Sequence, residues 1–284
     1  MKIYKINEYL SVNAQKYTTT QTDYNTENLM SDGKYHPQTK EELKKIISKI
    51  IKDEGYECDL NIIDTSKITD MSGLFDHTKF TGNISEWDVS NVKDMSYMFG
   101  SSDFNEDISK WDVSNVTDMS YMFHFSRFNG DISDWNVSKV NYMKNMFTQS
   151  VFNNDISKWD VSNVYNMYGM FNMSKFNGDI SEWNVKRVGD MSYMFKDSIF
   201  NGDLSNWNVK NVENMRAMFY KSKFNGDISD WNVSNVYDME EMFYRSKFDG
   251  DISKWNVGKV KRHYHIFKDS PIEQHTENHP KFTE

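Results

Sequence analysis

The apolar positions of this chain recur every 24 residues, without an insertion, over most of its length. Tryptophan stands at 87, 111, 135, 159, 183, 207, 231 and 255, a column that holds all eight tryptophans. Phenylalanine keeps the same step from Phe75 to Phe267, and a second phenylalanine column runs from Phe80 to Phe248. Two methionine columns, Met71 to Met239 and Met98 to Met242, hold fifteen of the 18 methionines. Self-similarity at one fixed period means that each unit buries its apolar face against the next, and that the two ends need caps.

One unit shows the pattern: Ile108, Trp111, Val113, Val116, Met119, Met122, Phe123, Ser126 and Phe128. Its opening, I-x-x-W-x-V, has the form of the L-x-x-L-x-L strand line of a leucine-rich repeat. The two-residue step from Trp111 to Val113 predicts a short strand with both side chains inward. The three-residue steps from Val113 to Met122 predict a tight return of one or two turns of 3₁₀- or α-helix. Asp118 ahead of Met119 is placed to cap that return, and Asp recurs there at 70, 94, 190 and 238. The phrase Asn129-Gly130-Asp131 predicts the turn into the next strand. The expected fold is a leucine-rich-repeat-like solenoid of short parallel strands with short helical or 3₁₀ returns and an N-terminal capping helix.

Two polar columns bear on stacking. The position before each Trp reads Glu86, Lys110, Asp134, Lys158, Glu182, Asn206, Asp230, Lys254. Its alternating sign fits cross-strand pairs worth a few tenths of a kcal/mol each. The column from Asp88 to Asn256 is all Asp or Asn, which predicts an exposed hydrogen-bonding ladder between units.

The ends differ from the middle. Thr39 followed by Glu42 is a capping-box pattern, and Leu43, Ile46, Ile47, Ile50 and Ile51 form a helical stripe that Gly55 can end. The expected organisation is a flexible or docking segment over 1–35, a capping-helix region over 36–59, the repeats over 60–267 and a polar tail over 268–284. Ile3, Ile6 and Leu10 could form a small docking helix.

The units W-D-V-S-N-V-x-D-M-S-Y-M-F at 87–99 and 111–123 resemble the BspA-type leucine-rich-repeat family, whose repeats read close to F-N-x-D-I-S-x-W-D-T-S-x-V-T-x-M-x-x-M-F. The resemblance covers residues 60 to about 267. It implies a bacterial or phage-associated surface or interaction protein, with adhesion as the usual role. It carries over no catalytic residue, because the shared positions are core and turn positions. Members of that family typically begin with a secretion or lipoprotein leader, and MKIYKINEYLSVNAQKY has no uninterrupted apolar stretch. The opening residues on their own predict a cytoplasmic protein.

Composition narrows the function. The net charge of −9, with no dense basic stretch, excludes the cationic face a nucleic-acid binder needs. It also disfavours an anionic membrane surface, and no segment approaches the roughly 18–20 apolar residues of a span. Cys58 is the one cysteine, which excludes an internal disulfide and reads as a small buried hydrophobe.

Candidate chemistry is sparse. Asp107, Asp131, Asp155, Asp179, Asp203, Asp227 and Asp251 would align carboxylates for calcium, but the nonapeptide calcium-roll pattern is absent and each is read as capping its own turn. His263, His265, His275 and His279 lack a carboxylate or Cys at a metal-site spacing. No G-x-S-x-G, phosphate loop or spaced Cys/His pair is present, so a non-enzymatic role without a cofactor is expected. The columns after each M-F vary most, and they set His124, Phe125, Met173, Tyr220, Tyr244 and Arg245 as candidate partner-binding residues. The expected function is protein-partner binding or adhesion through an extended face. Alternatives are a structural component docked through residues 1–35, and a glycan-binding surface protein.

Overall fold

Each 24-residue unit is a closed coil made of turns, and in most units four corners are fixed by a side chain that accepts the N–H two residues on. In the unit that starts at Ser102, Ser102 Oγ accepts from Phe104 N at 3.0 Å and Asp107 Oδ1 from Ser109 N at 2.9 Å. Asp112 Oδ1 accepts from Ser114 N at 3.0 Å and Asp118 Oδ1 from Ser120 N at 2.8 Å. Such Asx and Ser turns let short polar side chains stand in for the backbone acceptors of regular structure. Between the corners, Phe104, Ile108, Trp111, Val113, Val116, Met119, Met122 and Phe123 point inward and are buried. The computed structural model describes residues 32–282; the candidate docking helix over Ile3, Ile6 and Leu10 lies outside the described residues.

The coils stack in register. Phe99 lies on Phe123 at 5.7 Å, Phe104 on Phe128 at 6.3 Å and Trp87 on Trp111 at 6.5 Å, each pair nearly coplanar. Within a coil, Phe99 and Phe104 stack at 4.3 Å, which joins the two phenylalanine columns. Burying one such ring contributes about 1.5–3 kcal/mol, and the columns repeat that gain in every coil.

The expected parallel-strand solenoid is not what forms. Among the described residues the β pairing between coils consists of isolated parallel bridges, such as Asp70↔Asp94 through Asp238↔Arg262, and no sheet is built. The reason lies in where the N–H groups point. Met95, Tyr97, Phe99 and Ser101 all donate forward, to the carbonyls of Asp118, Ser120, Met122 and His124 at 2.9, 2.9, 3.0 and 2.7 Å. The N–H groups between them stay inside the coil: Met98 bonds to Met95 O and Gly100 to Tyr97 O. A parallel strand alternates its bonds between two neighbours, whereas this segment sends every donor that leaves the coil to one side.

That geometry needs left-handed residues, and Tyr97 and Ser101 adopt φ 58° and 50°, as do their equivalents through His265 and Asp269. The same kinks break the expected helical return into separate i→i−3 turns, such as Met122 N to Met119 O at 3.2 Å across Tyr121.

Two polar columns also differ from expectation. Each Asp or Asn from Asp88 to Asn256 bonds within its own coil, as in Ser90 N to Asp88 Oδ1 at 3.0 Å. The ladder between coils runs through Asn105, Asn129, Asn153, Asn177, Asn201 and Asn225, each accepting the N–H of the residue 24 further on at 2.7–2.8 Å. No ion pair among the described residues joins two members of the column from Glu86 to Lys254.

The first coil is covered by α1 (Lys40–Glu54), with Thr39 Oγ1 accepting from Glu42 N at 3.2 Å and Gly55 ending it at φ 94°. Its Leu43, Ile47 and Ile50 enter the common core, where Cys58 is also buried. At the other end, short 3₁₀ turns at Pro271–Gln274 and Thr276–Asn278 fold back and bury Ile272 completely. Part of the polar tail is therefore a lid on the last coil.

Candidate interaction surface

Within M-x-x-M-F-x-x-S the methionines, phenylalanine and serine face inward, and the four variable positions supply the side chains that reach solvent, although Gly100, Asn145, Thr148, Gly169, Ser192 and Ala217 among them are buried. In the second coil the four positions are Ser96, Tyr97, Gly100 and Ser101. Their equivalents stack along the molecule every 24 residues.

Contacts between them form one continuous line. Tyr97 stacks on Tyr121 at 4.4 Å. Lys144 Nζ lies 5.7 Å from the Tyr121 ring and 5.0 Å from Tyr168, and Tyr168 meets Tyr193 at 5.3 Å. Lys196 Nζ sits 5.5 Å from Tyr193 and 5.1 Å from Tyr220, and Tyr220 stacks on Tyr244 at 5.1 Å. Arg245 covers Tyr244 at 5.0 Å and pairs with Asp269 at 3.0 Å. Arg216 braces the middle, donating to Tyr193 Oη at 2.8 Å and to Glu240 at 2.9 Å. Each cation–π contact is worth about 0.5–1 kcal/mol at an exposed site. Burial, and then the neighbouring Tyr121, pushes the Tyr97 phenol up; burial does the same to Tyr168. These phenols stay neutral and can donate.

The six residues singled out in the sequence fall in two groups and one outlier. His124 meets Tyr97 and Tyr121 edge-on at 5.5 Å and Phe125 at 5.6 Å. Tyr220, Tyr244 and Arg245 form the far end of the line. Met173 stands 47% exposed between them without a ring neighbour. The pair inside M-x-x-M was missed: it supplies Tyr97, Tyr121, Lys144, Tyr168, Tyr193 and Arg216. Its variability from unit to unit is the signal that could have found them.

The family model described as "Mycoplasma protein of unknown function, DUF285" matches residues 41–151, 125–223 and 172–279. The chain belongs to the DUF285 family. Nothing among curated proteins or solved structures matches it. Three overlapping matches are what a DUF285 chain of equivalent 24-residue units gives, since the same model can seat in several registers.

The remaining polar candidates of this DUF285 chain are engaged locally. Asp107, Asp131, Asp155, Asp179, Asp203, Asp227 and Asp251 each accept the N–H of the serine two residues on, at 2.8–2.9 Å. His275 Nδ1 lies 2.7 Å from Asp249, His279 Nε2 2.7 Å from the Ile272 carbonyl, and the His263 ring stacks on Phe282. Among the described residues no cluster of three His, Cys, Asp or Glu is arranged to hold a metal ion, and no helix is long and apolar enough to cross a membrane.

Proposed function

We propose that this protein is a non-enzymatic protein-interaction module whose binding face is the aromatic–cation line from Tyr97 to Arg245. The observation that carries the reading is the continuity of that line: every link is a direct contact, and it runs across successive coils on a rigid support. Tyrosine and arginine are the residue types that most often anchor interfaces. Rings held in stacks lose little further freedom on binding, which lowers the entropic cost of association. The polar residues that repeat elsewhere are used up by turns, which leaves the outward columns as the part of the unit free to vary. The likeness of the F-N-G-D-I-S-x-W units to BspA-type repeats favours the same reading, adhesion-like recognition of another protein.

The test is an affinity capture from the source organism with the full chain as bait, quantified by mass spectrometry against a Tyr193→Ala/Tyr220→Ala/Tyr244→Ala bait. Partners depleted at least tenfold with the triple variant support the face. Partners retained equally by both baits remove it.

A further inference from the structure

We propose that one edge of the coil stack is a docking seam for an amphipathic α-helix with acidic flanks, carried by a partner protein. The inference names the partner's chemistry and rests on the interaction reading above. The seam is formed by the two positions that flank the buried serine of each unit, Ser126, Ser150, Ser174 and Ser198. In four successive units these positions set Phe125, Val151, Met173 and Ile199 in solvent, 52, 46, 47 and 45% exposed. Scattered apolar residues on a surface are ordinary, but a row of four along one edge marks an interaction site.

Charge decides what kind of partner fits. From Phe125 onward the same two columns carry Arg127, Lys175, Lys221, Lys223, Arg245 and Lys247, all exposed, against two acids, Asp197 and Asp269. The whole chain carries −9, so this edge reverses the sign of its surroundings. Arg127 and Arg245 are held by Asp103 and Asp269 at 3.1 and 3.0 Å. Lys175, Lys223 and Lys247 make no ion pair among the described residues, and their backbones are fixed by bonds to Ser150, Ser198 and Ser222 at 3.1–3.2 Å. An acidic partner finds preorganised, uncommitted cations here.

Repeat geometry decides the partner's conformation. Bridged coils lie about 4.8 Å apart. A helix returns the same face every ~5.4 Å, while a strand does so every ~6.7 Å. Over the three steps from Phe125 to Ile199 a helix drifts from register by roughly 2 Å, and a strand by more than about 5 Å. Apolar side chains at i, i+4, i+7 and i+11 therefore meet Phe125, Val151, Met173 and Ile199 in turn, an acid beside that stripe meets Lys175, and acids in the two turns that follow it meet Lys223 and Lys247.

The experiment uses the full chain and two synthetic helical peptides. Both have Leu at i, i+4, i+7 and i+11; one has Glu beside the leucines and over the two turns that follow them, and the other has Lys at the same places. Fluorescence anisotropy at low salt measures affinity, and methyl NMR locates binding. The expected result is that the Glu peptide binds, weakens with salt, and shifts the methyl signals of Val151, Met173 and Ile199. The Lys peptide is expected to be at least tenfold weaker. Lys175→Glu/Lys223→Glu/Lys247→Glu should lower Glu-peptide affinity at least tenfold without moving the melting temperature. Equal binding of both peptides, binding unaffected by the triple variant, or shifts confined to other coils overturns the seam. So does equal binding of a Glu/Leu peptide kept extended by prolines. Dimerisation of the chain that Met173→Asp abolishes also overturns it, because the occupant is then a second copy. Failure here with partner loss in the Tyr193/Tyr220/Tyr244 variant removes the seam and leaves the interaction reading standing.

Discussion

The indole N–H of Trp111 donates to the carbonyl of Ile84 in the preceding coil, 3.2 Å away, and every tryptophan repeats the bond 27 residues back. This bond gives a reason for tryptophan at all eight positions of the column. The ring fills the core as phenylalanine could, but only indole adds a donor that reaches a buried acceptor in the neighbouring unit.

Trp159→Phe therefore keeps most of the apolar volume and removes the donor to Ile132. The orphaned carbonyl costs about 1–3 kcal/mol, and Trp159→Ala, which also opens a cavity, costs about 3–5 kcal/mol. Urea unfolding followed by circular dichroism should place the two variants in that order. An unchanged midpoint for Trp159→Phe would show that the bond contributes nothing.

The core was legible in the sequence because burial alone sets it. Trp111, Phe123, Phe128, Met119 and Met122 are inward, as their strict columns require. The backbone path was not legible. Two inward residues at Trp111 and Val113 fit a strand and fit a chain of tight turns equally well, and apolar spacing carries no record of the sign of φ. Tyr97 and Ser101 sit in left-handed geometry although neither residue type favours it. Tertiary stacking overrides that local cost. The same kinks turn Tyr97, Tyr121 and Tyr193 outward, so these three members of the interaction line were hidden with the turns. The alternating column from Glu86 to Lys254 misled for another reason: its side chains end in water, where pairing is worth little.

Gly169 tests the left-handed column directly. It adopts φ 59°, and a Cβ there would run into Oδ1 of Asn145, which accepts from Thr148 Oγ1 at 2.8 Å. Gly169→Ala adds strain of about 1–2 kcal/mol and a collision with a buried amide. In an Asn145→Ala background only the strain remains, so the two substitutions should show a favourable coupling of about 1 kcal/mol or more. Thermal unfolding of both singles and the double measures it, and simple additivity would remove the contact from the account.

Acid should weaken the stack through its turn aspartates. The N–H of the serine two residues on, and then its hydroxyl, hold Asp107, Asp131, Asp155, Asp203, Asp227 and Asp251 below the ordinary value of 3.8. A carboxyl lowered by folding contributes its stability above 3.8 and loses it as the pH falls through the folded value. The melting temperature is expected to hold from neutral pH to about pH 5 and to fall steeply below about pH 4. Asn83 makes the same turn without a charge, bonding Ser85 N at 3.1 Å. Asp131→Asn/Asp155→Asn/Asp203→Asn/Asp227→Asn should therefore keep the fold and flatten the acid limb. An acid limb as steep as that of the parent would locate the titration elsewhere.

Along the edge built by the forward-donating segments the two ends of the stack are electrically unlike, because these segments align their N–H groups toward the C-terminal end and their carbonyls toward the N-terminal end. The caps match that polarity. At the carbonyl end α1 delivers Lys40, whose Nζ lies 3.0 Å from Asp70 and also bonds the Ser72 hydroxyl. At the N–H end the lid delivers Glu273, whose carboxylate accepts the Asp269 N–H at 2.9 Å. A cation at the one end and a carboxylate at the other is the complement a helix dipole also selects. Glu273→Lys should fray the last coil and raise hydrogen exchange across 263–270, while Lys40→Glu should do the same at the first coil, over 70–77. Neither change should alter exchange in the middle coils, since each contacts only its own end. Uniform acceleration along the whole stack would mean that the caps act on global stability and that the polarity of the ends is incidental.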